Sequence, residues 1–174
     1  MSDIWFISDT HFNHANMLKF LDAAGKAFRG DRFDNVDHMN ETMIANWNSK
    51  VMPQDKVYHL GDVFFGSDHD ARKILSRLNG HKRLILGNHD KLHRQSPLYE
   101  HFDKIMLWWP FEDYIFSHVP LREDQMRFRR DTGRVNVHGH IHQNKSPGDR
   151  WFNMCVESIG YAPMHYDELK AKYG

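Results

Sequence analysis

Residues 83–90 read Arg-Leu-Ile-Leu-Gly-Asn-His-Asp, an apolar run that stops at a glycine and continues with polar side chains. The apolar run has the length of a buried strand and is followed by a turn residue, so the stretch predicts a strand. Gly87 lets the backbone turn sharply where the strand ends and delivers polar side chains at that point. The stretch therefore predicts a sheet whose strand ends carry chemically active groups.

Short apolar runs of the same kind recur along the chain. They lie at 4–8, 57–60, 83–86, 104–109, 114–117, 135–138 and 152–156. Between the early runs, apolar residues spaced for one helix face predict helices at 14–22, 36–50 and 70–79. Ser67 with Asp70 fits the N-terminal cap of the third helix, and Gly80 fits its C-terminal cap. Strands alternating with helices predict a mainly parallel sheet in the first half.

From residue 104 onward strands follow one another with little helix between them, until a charged amphipathic stretch at 163–172. This order predicts an α/β fold in which two mixed β-sheets pack face to face, with helices outside, in four layers α/β/β/α. The length of 174 residues fits one domain spanning 1–174. The irregular segment 120–134 is predicted to be a loop.

Composition limits the classes of partner and the compartment. The chain has 23 basic and 23 acidic side chains, a balance that disfavours a nucleic-acid or membrane-surface partner. No apolar stretch approaches 18 residues, so we expect no membrane span. The single cysteine, Cys155, excludes an internal disulfide and a thiolate-rich metal site. We expect Cys155 to be a small buried strand residue and the protein to be cytoplasmic.

Metal-binding side chains follow five of the predicted strands, and the chain has 14 histidines in all. These candidate ligands are Asp9, His11, Asp62, Asn88, His118, His140 and His142. Ligands gather at the carboxyl ends of strands in open α/β sheets, so we expect the seven to converge. Seven nitrogen and oxygen ligands are too many for one tetrahedral ion and fit two.

A bridging carboxylate, most naturally Asp62, would hold the two ions about 3.5 to 4 Å apart and let a shared hydroxide attack phosphorus in line. A mixed carboxylate, amide and imidazole set suits divalent transition metals; manganese is favoured, and iron, zinc or nickel would also fit. His89 lies beside the candidate ligand Asn88 but is not itself counted among the ligands. An imidazole that binds no metal is suited to donating a proton to the leaving oxygen.

The order Asp-x-His, Gly-Asp, Gly-Asn-His-Asp, His and Gly-His-x-His over residues 4–142 resembles that of the calcineurin-like metallophosphoesterases. The starting stretch 7–12 and the later stretch 152–157 are similar to those of the small, capless bacterial and phage-type members. The resemblance implies that Asp9, His11 and His142 hold one metal. It implies that Asn88, His118 and His140 hold the second.

In the same resemblance Asp62 bridges the two metals and His89 is the general acid. Asp90 stands where a carboxylate would orient a neighbouring imidazole. One departure is that Gly61-Asp62 continues as Val-Phe-Phe-Gly, whereas the protein phosphatases of the superfamily continue as x-x-Asp-Arg. A phosphoprotein phosphatase is therefore disfavoured.

Other polar and aromatic residues have two interpretations each. His14 could contact the substrate phosphate or be an ordinary surface histidine in a first helical turn. Arg122 leads a set of arginines that could clamp a phosphate or form a solvated loop, the others being Arg127, Arg129, Arg130 and Arg134. Trp108 and Trp109 could stack a base, although packing is the commoner role. His59 and His138 are expected to be hydrogen-bonded core histidines.

The leading function is a phosphodiesterase that hydrolyses a small nucleotide, including a cyclic one, with two metal ions. A phosphomonoesterase is the alternative, because the same two ions serve either ester. A nuclease is less favoured, since the balanced charge offers no track for a polymer. A non-catalytic binding scaffold is disfavoured because His89 and all seven candidate ligands are present. The sequence does not fix the oligomeric state.

Overall fold

The computed structural model describes residues 2–22, 24–126 and 134–173. Arg127, Arg129 and Arg130, for which the sequence leaves open a phosphate clamp or a solvated loop, lie outside the described residues. No helix in the described ranges is long and apolar enough to cross a membrane.

Within the described residues, nine strands form two sheets. The first sheet holds β1 (Ile4–Ile7), β2 (Lys56–His59), β3 (His81–Ile85), β4 (Lys104–Met106) and β9 (Met164–His165), in the order β4-β3-β2-β1-β9. The second holds β5 (Trp108–Phe111), β6 (Tyr114–Ser117), β7 (Val135–His138) and β8 (Trp151–Asn153), in the order β5-β6-β7-β8. Strands β1 to β4 are parallel and so are β6 to β8, whereas β9 and β5 run antiparallel to their neighbours.

The part of the chain that the structure describes also contains five α-helices and two short 3₁₀ turns. The helices are α1 (Val36–Lys50), α2 (Asp68–Leu75), α3 (Pro97–His101), α4 (Val156–Ile159) and α5 (Tyr166–Tyr173). The 3₁₀ turns are Ala15–Leu18 and Glu123–Met126. The predicted α/β fold with two mixed sheets and helices is therefore confirmed.

The alternation of side chains along β1 places it between two hydrophobic cores. Phe6 points between the two sheets, where its ring stacks on that of Phe116 with centroids 4.6 Å apart. Ile7 points to the opposite face and packs with α1 residues such as Trp47. The first sheet is covered on both faces, so apolar residues are buried on both sides of its strands, as expected for parallel strands.

Several predicted boundaries were wrong. The apolar run 104–109 is two strands in different sheets, and 152–156 ends as a strand at Asn153. The predicted helix at 14–22 is only a 3₁₀ turn, because the chain doubles back and Phe28 N–H donates to Phe20 O at 2.9 Å. Ser67 caps α2 as predicted, but the helix ends at Leu75, and Gly80 instead serves the turn into β3 with φ of +89°.

Candidate metal centre

The loops that follow β1 and β2 are joined by backbone hydrogen bonds. Asp9 N–H donates to Gly61 O at 2.9 Å, and His11 N–H donates to Asp62 O at 3.0 Å. Gly139 N–H donates in turn to His118 O at 2.8 Å, which joins the loops after β6 and β7. The carboxyl ends of strands from both sheets therefore meet at one edge of the molecule.

Five of the seven candidate ligands adopt left-handed backbone conformations. Their φ values are +56° at Asp9, +46° at His11, +56° at Asp62, +72° at His140 and +50° at His142. Non-glycine residues in this region cost about 1–3 kcal/mol each and persist where the surroundings impose them. Such clusters of strain are typical of functional sites.

Glycine is required where these loops approach one another. A Cβ on Gly139 would lie 2.0 Å from Ser8 Oγ and 2.2 Å from Asp9 Oδ2. A Cβ on Gly61, whose φ is +103°, would lie 2.6 Å from His118 Nδ1. Neither position tolerates a side chain without moving a candidate ligand.

Asp9, His11 and His142 form a first ligand group, in which one potential ligand atom of each residue lies within 4.8 Å of the others. Asp9 Oδ2 is already occupied, since it accepts from Ser8 Oγ at 2.5 Å, His140 N at 2.8 Å and Cys155 Sγ at 3.2 Å. Asp9 Oδ1 lies 3.7 Å from His11 Nε2. Both atoms are buried and lack a hydrogen-bond partner in the described part of the chain.

Asp62, His118 and His140 form a second ligand group of the same size. Asn88 joins it, with Oδ1 at 2.8 Å from His118 Nε2 and 2.9 Å from His140 Nδ1. His118 Nδ1 lies 2.8 Å from Leu60 O, which can only accept, so Nδ1 carries the proton. The other ring nitrogen, Nε2, faces the Asn88 oxygen, and it is the atom through which His118 would bind a metal ion.

Asp62 lies between the two groups. Its Oδ2 is 3.6 Å from His11 Nε2 in the first group and 3.4 Å from His118 Nε2 in the second. Its Oδ1 accepts from His89 N–H at 2.8 Å, which fixes the rotation of the carboxylate. One oxygen of Asp62 therefore faces both groups, as a bridging ligand must.

The charges of the site favour deprotonated carboxylates. Burial alone would raise the pKa of Asp9, but the imidazoles of His11, His118 and His142 lower it well below its usual range. The pKa of Asp62 is also lowered, since the hydrogen bond and charge of His118 outweigh its burial. Burial and the neighbouring His118 lower the pKa of His140, which keeps that ring neutral. Ionised carboxylates and neutral imidazoles are the forms that bind metal ions.

These residues fit a pair of metal ions on the chemistry of their atoms. Among the described residues, buried atoms without a hydrogen-bond partner lie in the first group, imidazole nitrogens converge on the Asn88 oxygen in the second, and the Asp62 carboxylate lies between the groups. The site is made of oxygen and nitrogen, as expected for divalent transition metals.

His89 and Asp90 occupy different positions in the site. The ring of His89 is exposed and lies with its centroid 5.7 Å from that of His11. Asp90 was predicted to orient an imidazole, but its carboxylate accepts backbone N–H groups instead. These come from Asp62 and Gly87 to Oδ2 and from Val63 to Oδ1, at 2.8–2.9 Å. Asp90 therefore holds the turns after β2 and β3 together.

Sequence reasoning missed a buried charge network behind the first ligand group. Arg29 is 1% exposed, and its guanidinium donates to Thr10 O at 2.8 Å and Asp9 O at 2.6 Å. It also donates to Glu157 Oε1 at 2.7 Å, and the same oxygen lies 3.1 Å from His142 Nδ1. Glu157 thus orients the ring of His142, as carboxylates do behind histidine ligands. Glu157 belongs to the stretch 152–157, which is similar to that of the small, capless family members, so the sequence held a signal for it. Arg29 lies in none of the motifs found in the sequence.

Cys155 is buried as predicted, but it follows β8 rather than lying in a strand, and its thiol contacts Asp9. Burial and the charges of Asp9 and Glu157 raise the pKa of the thiol well above its usual value, so it remains a hydrogen-bond donor.

The two predicted substrate contacts differ in their placement. The His14 ring lies 5.6 Å from that of His11, and burial with nearby positive charge lowers its pKa to about 4. Arg122 is exposed and pairs with Asp124 at 3.0 Å on the 3₁₀ turn after β6. The structure therefore places His14 beside the candidate ligand His11 and pairs Arg122 with Asp124.

His59 and His138 are buried and hydrogen-bonded through both ring nitrogens, as expected of core histidines. His59 contacts Thr10 Oγ1 and Gly61 N, at 2.9 and 3.2 Å. His138 contacts Gly139 O and Ser146 Oγ, at 2.9 and 3.0 Å.

Comparison with known proteins shows the family. Residues 2–170 match the calcineurin-like phosphoesterase family. An uncharacterized protein of Methanocaldococcus jannaschii is 34% identical over 176 residues, covering 96% of this chain and 89% of that protein. The Gene 66 protein of Mycobacterium phage D29 is 33% identical over 172 residues, covering 82% of this chain and 79% of that protein.

Among solved structures, a protein of unknown function from Aquifex aeolicus is 26% identical, with a TM-score of 0.73 over 98% of this chain and 99% of that one. The chain belongs to the calcineurin-like phosphoesterase family, as its strand-end motifs predicted.

Proposed function

We propose that the protein is a phosphodiesterase that uses two divalent metal ions, with manganese favoured, to hydrolyse a small nucleotide, including a cyclic one. The observation that carries this proposal is the shared carboxylate of Asp62, which has one oxygen within 3.6 Å of imidazole nitrogens from both ligand groups. A site for one ion does not require a carboxylate oxygen placed between two separate groups of ligands. When bound, such a pair of ions activates water for in-line attack on phosphorus.

The chain's own residues divide the work. Asp9, His11 and His142 would hold one ion, Asn88, His118 and His140 would hold the other, and Asp62 would serve both. His89 is exposed next to the ligand groups, so its ring can reach a bound ester and protonate the leaving oxygen. The low pKa of His14 keeps that ring neutral near pH 7, so it would contact phosphate by a hydrogen bond rather than by charge.

Two features favour a small substrate. The net charge is zero, and binding to a polymer of phosphates is dominated by clustered positive charge. Arg122, the predicted phosphate clamp nearest to the site in sequence, is engaged with Asp124.

The test is a substrate screen with metal analysis. Protein purified in manganese is assayed on bis-p-nitrophenyl phosphate, p-nitrophenyl phosphate and a panel of cyclic nucleotides. We expect about two transition-metal ions per chain by elemental analysis, faster turnover of the diesters, and complete loss of activity with chelator. Faster turnover of the monoester would assign a phosphomonoesterase instead. Absence of bound transition metal would end the two-ion proposal.

A further inference from the structure

A cavity of about 540 Å³ opens beside the second ligand group. Asn88 and His118 form one of its walls, and Leu86 and Gly87 continue that wall from the end of β3. The volume lies within the range of about 300–1,000 Å³ typical of small-molecule sites. The cavity is therefore large enough for part of a substrate whose phosphate sits at the ligand groups.

Much of the remaining lining is apolar, and part of it is exposed. Leu107 is 72% exposed, Trp108 48% and Val119 44%, and all three line this cavity with Leu121. Exposed large apolar side chains that cluster in this way mark binding sites more often than scattered ones do. An apolar, partly aromatic group is the natural occupant of such a wall.

Strand register places Trp108 beside the ligand groups. Trp108 in β5 is paired with Ser117 in β6, and Ser117 directly precedes His118. Directly paired residues in antiparallel strands have Cβ atoms about 4.5–5.5 Å apart and point to the same face. Trp108 and His118 both line the cavity, so the cavity connects the indole with the second ligand group.

The side chains that line the cavity indicate what kind of chemical group it would bind. The lining residues in the described part of the chain include no Lys, Arg, Asp or Glu. A lining without Lys or Arg among the described residues offers no strong anchor for a second phosphate or an acidic chain. Gln125 offers an amide at the cavity edge, with its Oε1 accepting from Arg122 N at 3.0 Å. A flat group with apolar faces and polar edges matches this combination.

We propose that this cavity is a nucleobase subsite, in which the base stacks on Trp108 and packs against Leu107 and Val119. This inference rests on the proposed function, and it names the part of the substrate that gives specificity. Stacking on an aromatic side chain tolerates any base, because every base has a π-face. The subsite therefore selects nucleotides over other small phosphate esters without choosing strongly among the four bases.

The test compares two ligands that differ only in the base. Binding of adenosine 5′-monophosphate and of ribose 5-phosphate to the manganese-loaded protein is measured by calorimetry, with phosphate release followed in parallel. If the protein hydrolyses these monoesters, KM replaces Kd. We expect the nucleotide to bind at least 10-fold more tightly. Trp108→Ala should weaken nucleotide binding by roughly 5- to 150-fold, the range for loss of one stacked base, and leave ribose 5-phosphate binding unchanged.

Two further variants keep the result interpretable. Trp108→Phe retains an aromatic ring and should keep most of the nucleotide preference even if Trp108→Ala folds poorly. Tyr99→Ala removes another exposed aromatic side chain, on α3 and outside the cavity lining, and should change neither affinity.

Equal affinity for the two ligands, or equal loss of both in Trp108→Ala, would overturn the proposal. So would a dimer that depends on Trp108, seen by light scattering, with no preference for the nucleotide. Because binding is measured apart from turnover of diesters, a protein that prefers the nucleotide but hydrolyses no diester would retain the subsite and refute the proposed reaction.

Discussion

At the scale of single residues, Asp62 is the group on which both ligand groups depend. Replacing it with asparagine removes the negative charge and can place an N–H₂ group where a ligand oxygen is needed. We expect Asp62→Asn to lower both metal content and activity, by more than the 10- to 100-fold typical of residues behind metal ligands. Elemental analysis and diester turnover measure this. Asp149→Asn, an exposed acid-to-amide change elsewhere, should match the wild type.

His89 should affect chemistry without affecting metal content. An alkoxide leaving group is a strong base and needs a proton, whereas nitrophenolate is a weaker base. We expect His89→Asn to keep its metals, to lose roughly 10²- to 10⁴-fold in rate on a cyclic nucleotide, and to lose less on bis-p-nitrophenyl phosphate. Falling metal content would make His89 a ligand or its support. Equal losses on both substrates would mean that it stabilises charge rather than donating a proton.

Glu157 should act through His142. In Glu157→Gln the side chain keeps its shape but loses the charge that compensates Arg29 and orients the imidazole. We expect metal affinity to fall about 10- to 100-fold, with a loss of unfolding free energy of up to about 3–5 kcal/mol. Metal titration and denaturant unfolding measure the two effects. Glu41→Gln breaks an exposed pair with Arg77 and should cost at most about 1 kcal/mol. Unchanged metal affinity in Glu157→Gln would refute the orienting role.

At the scale of elements, glycines at the strand ends let the loops that carry the candidate ligands approach one another closely. Gly139→Ala would place a methyl group about where Ser8 Oγ and Asp9 Oδ2 now lie. We expect the loop after β7 to move away from Asp9, with loss of metal from the first ligand group and a lower melting temperature. Elemental analysis and thermal unfolding test this. Gly148→Ala meets only the ring of Trp151, at 3.2 Å, and should retain its metals. A fully loaded Gly139→Ala protein would contradict the close approach.

Strand positions could be predicted because short apolar runs end at turn residues such as Gly61 and Gly87, and the ligands follow directly. The same local signal fails where tertiary contacts decide the outcome. Residues 14–22 have a helical apolar pattern, but His14 provides no side-chain cap and the chain turns back at Phe20. Arg29 gives no signal because its partners lie at Asp9, Thr10 and Glu157, up to 128 residues away.

At the scale of the whole molecule, buried neutral histidines link stability to pH. Burial lowers the pKa of His59 to about 3, whereas an unfolded histidine titrates near 6.5. Below about pH 6.5 the unfolded chain therefore binds a proton that the folded chain refuses. In chelator-treated protein we expect the unfolding free energy to fall by up to about 1.4 kcal/mol per pH unit between pH 6.5 and 3 from this group alone.

Denaturant unfolding at pH 7.5 and 5.0 measures that slope. His59→Asn keeps an acceptor for Gly61 N–H and removes the titrating ring, so its slope should be shallower than that of the wild type. His69→Asn, a change at an exposed histidine, should leave the slope unchanged. Identical slopes for His59→Asn and the wild type would show that other groups account for the acid sensitivity.

Both ligand groups are completed by the same short segment, since His140 belongs to one and His142 to the other. During synthesis from the N-terminus, a growing chain that ends before this segment has Asp9, His11, Asp62 and His118 but neither group complete. If the two groups bind metal as proposed, loading would be a late event in biosynthesis, after β7 has been made and placed beside β6. Until then neither ligand group is complete. A ribosome-stalled or truncated product that ends before residue 140 would therefore lack a ligand in each of the two proposed metal sites.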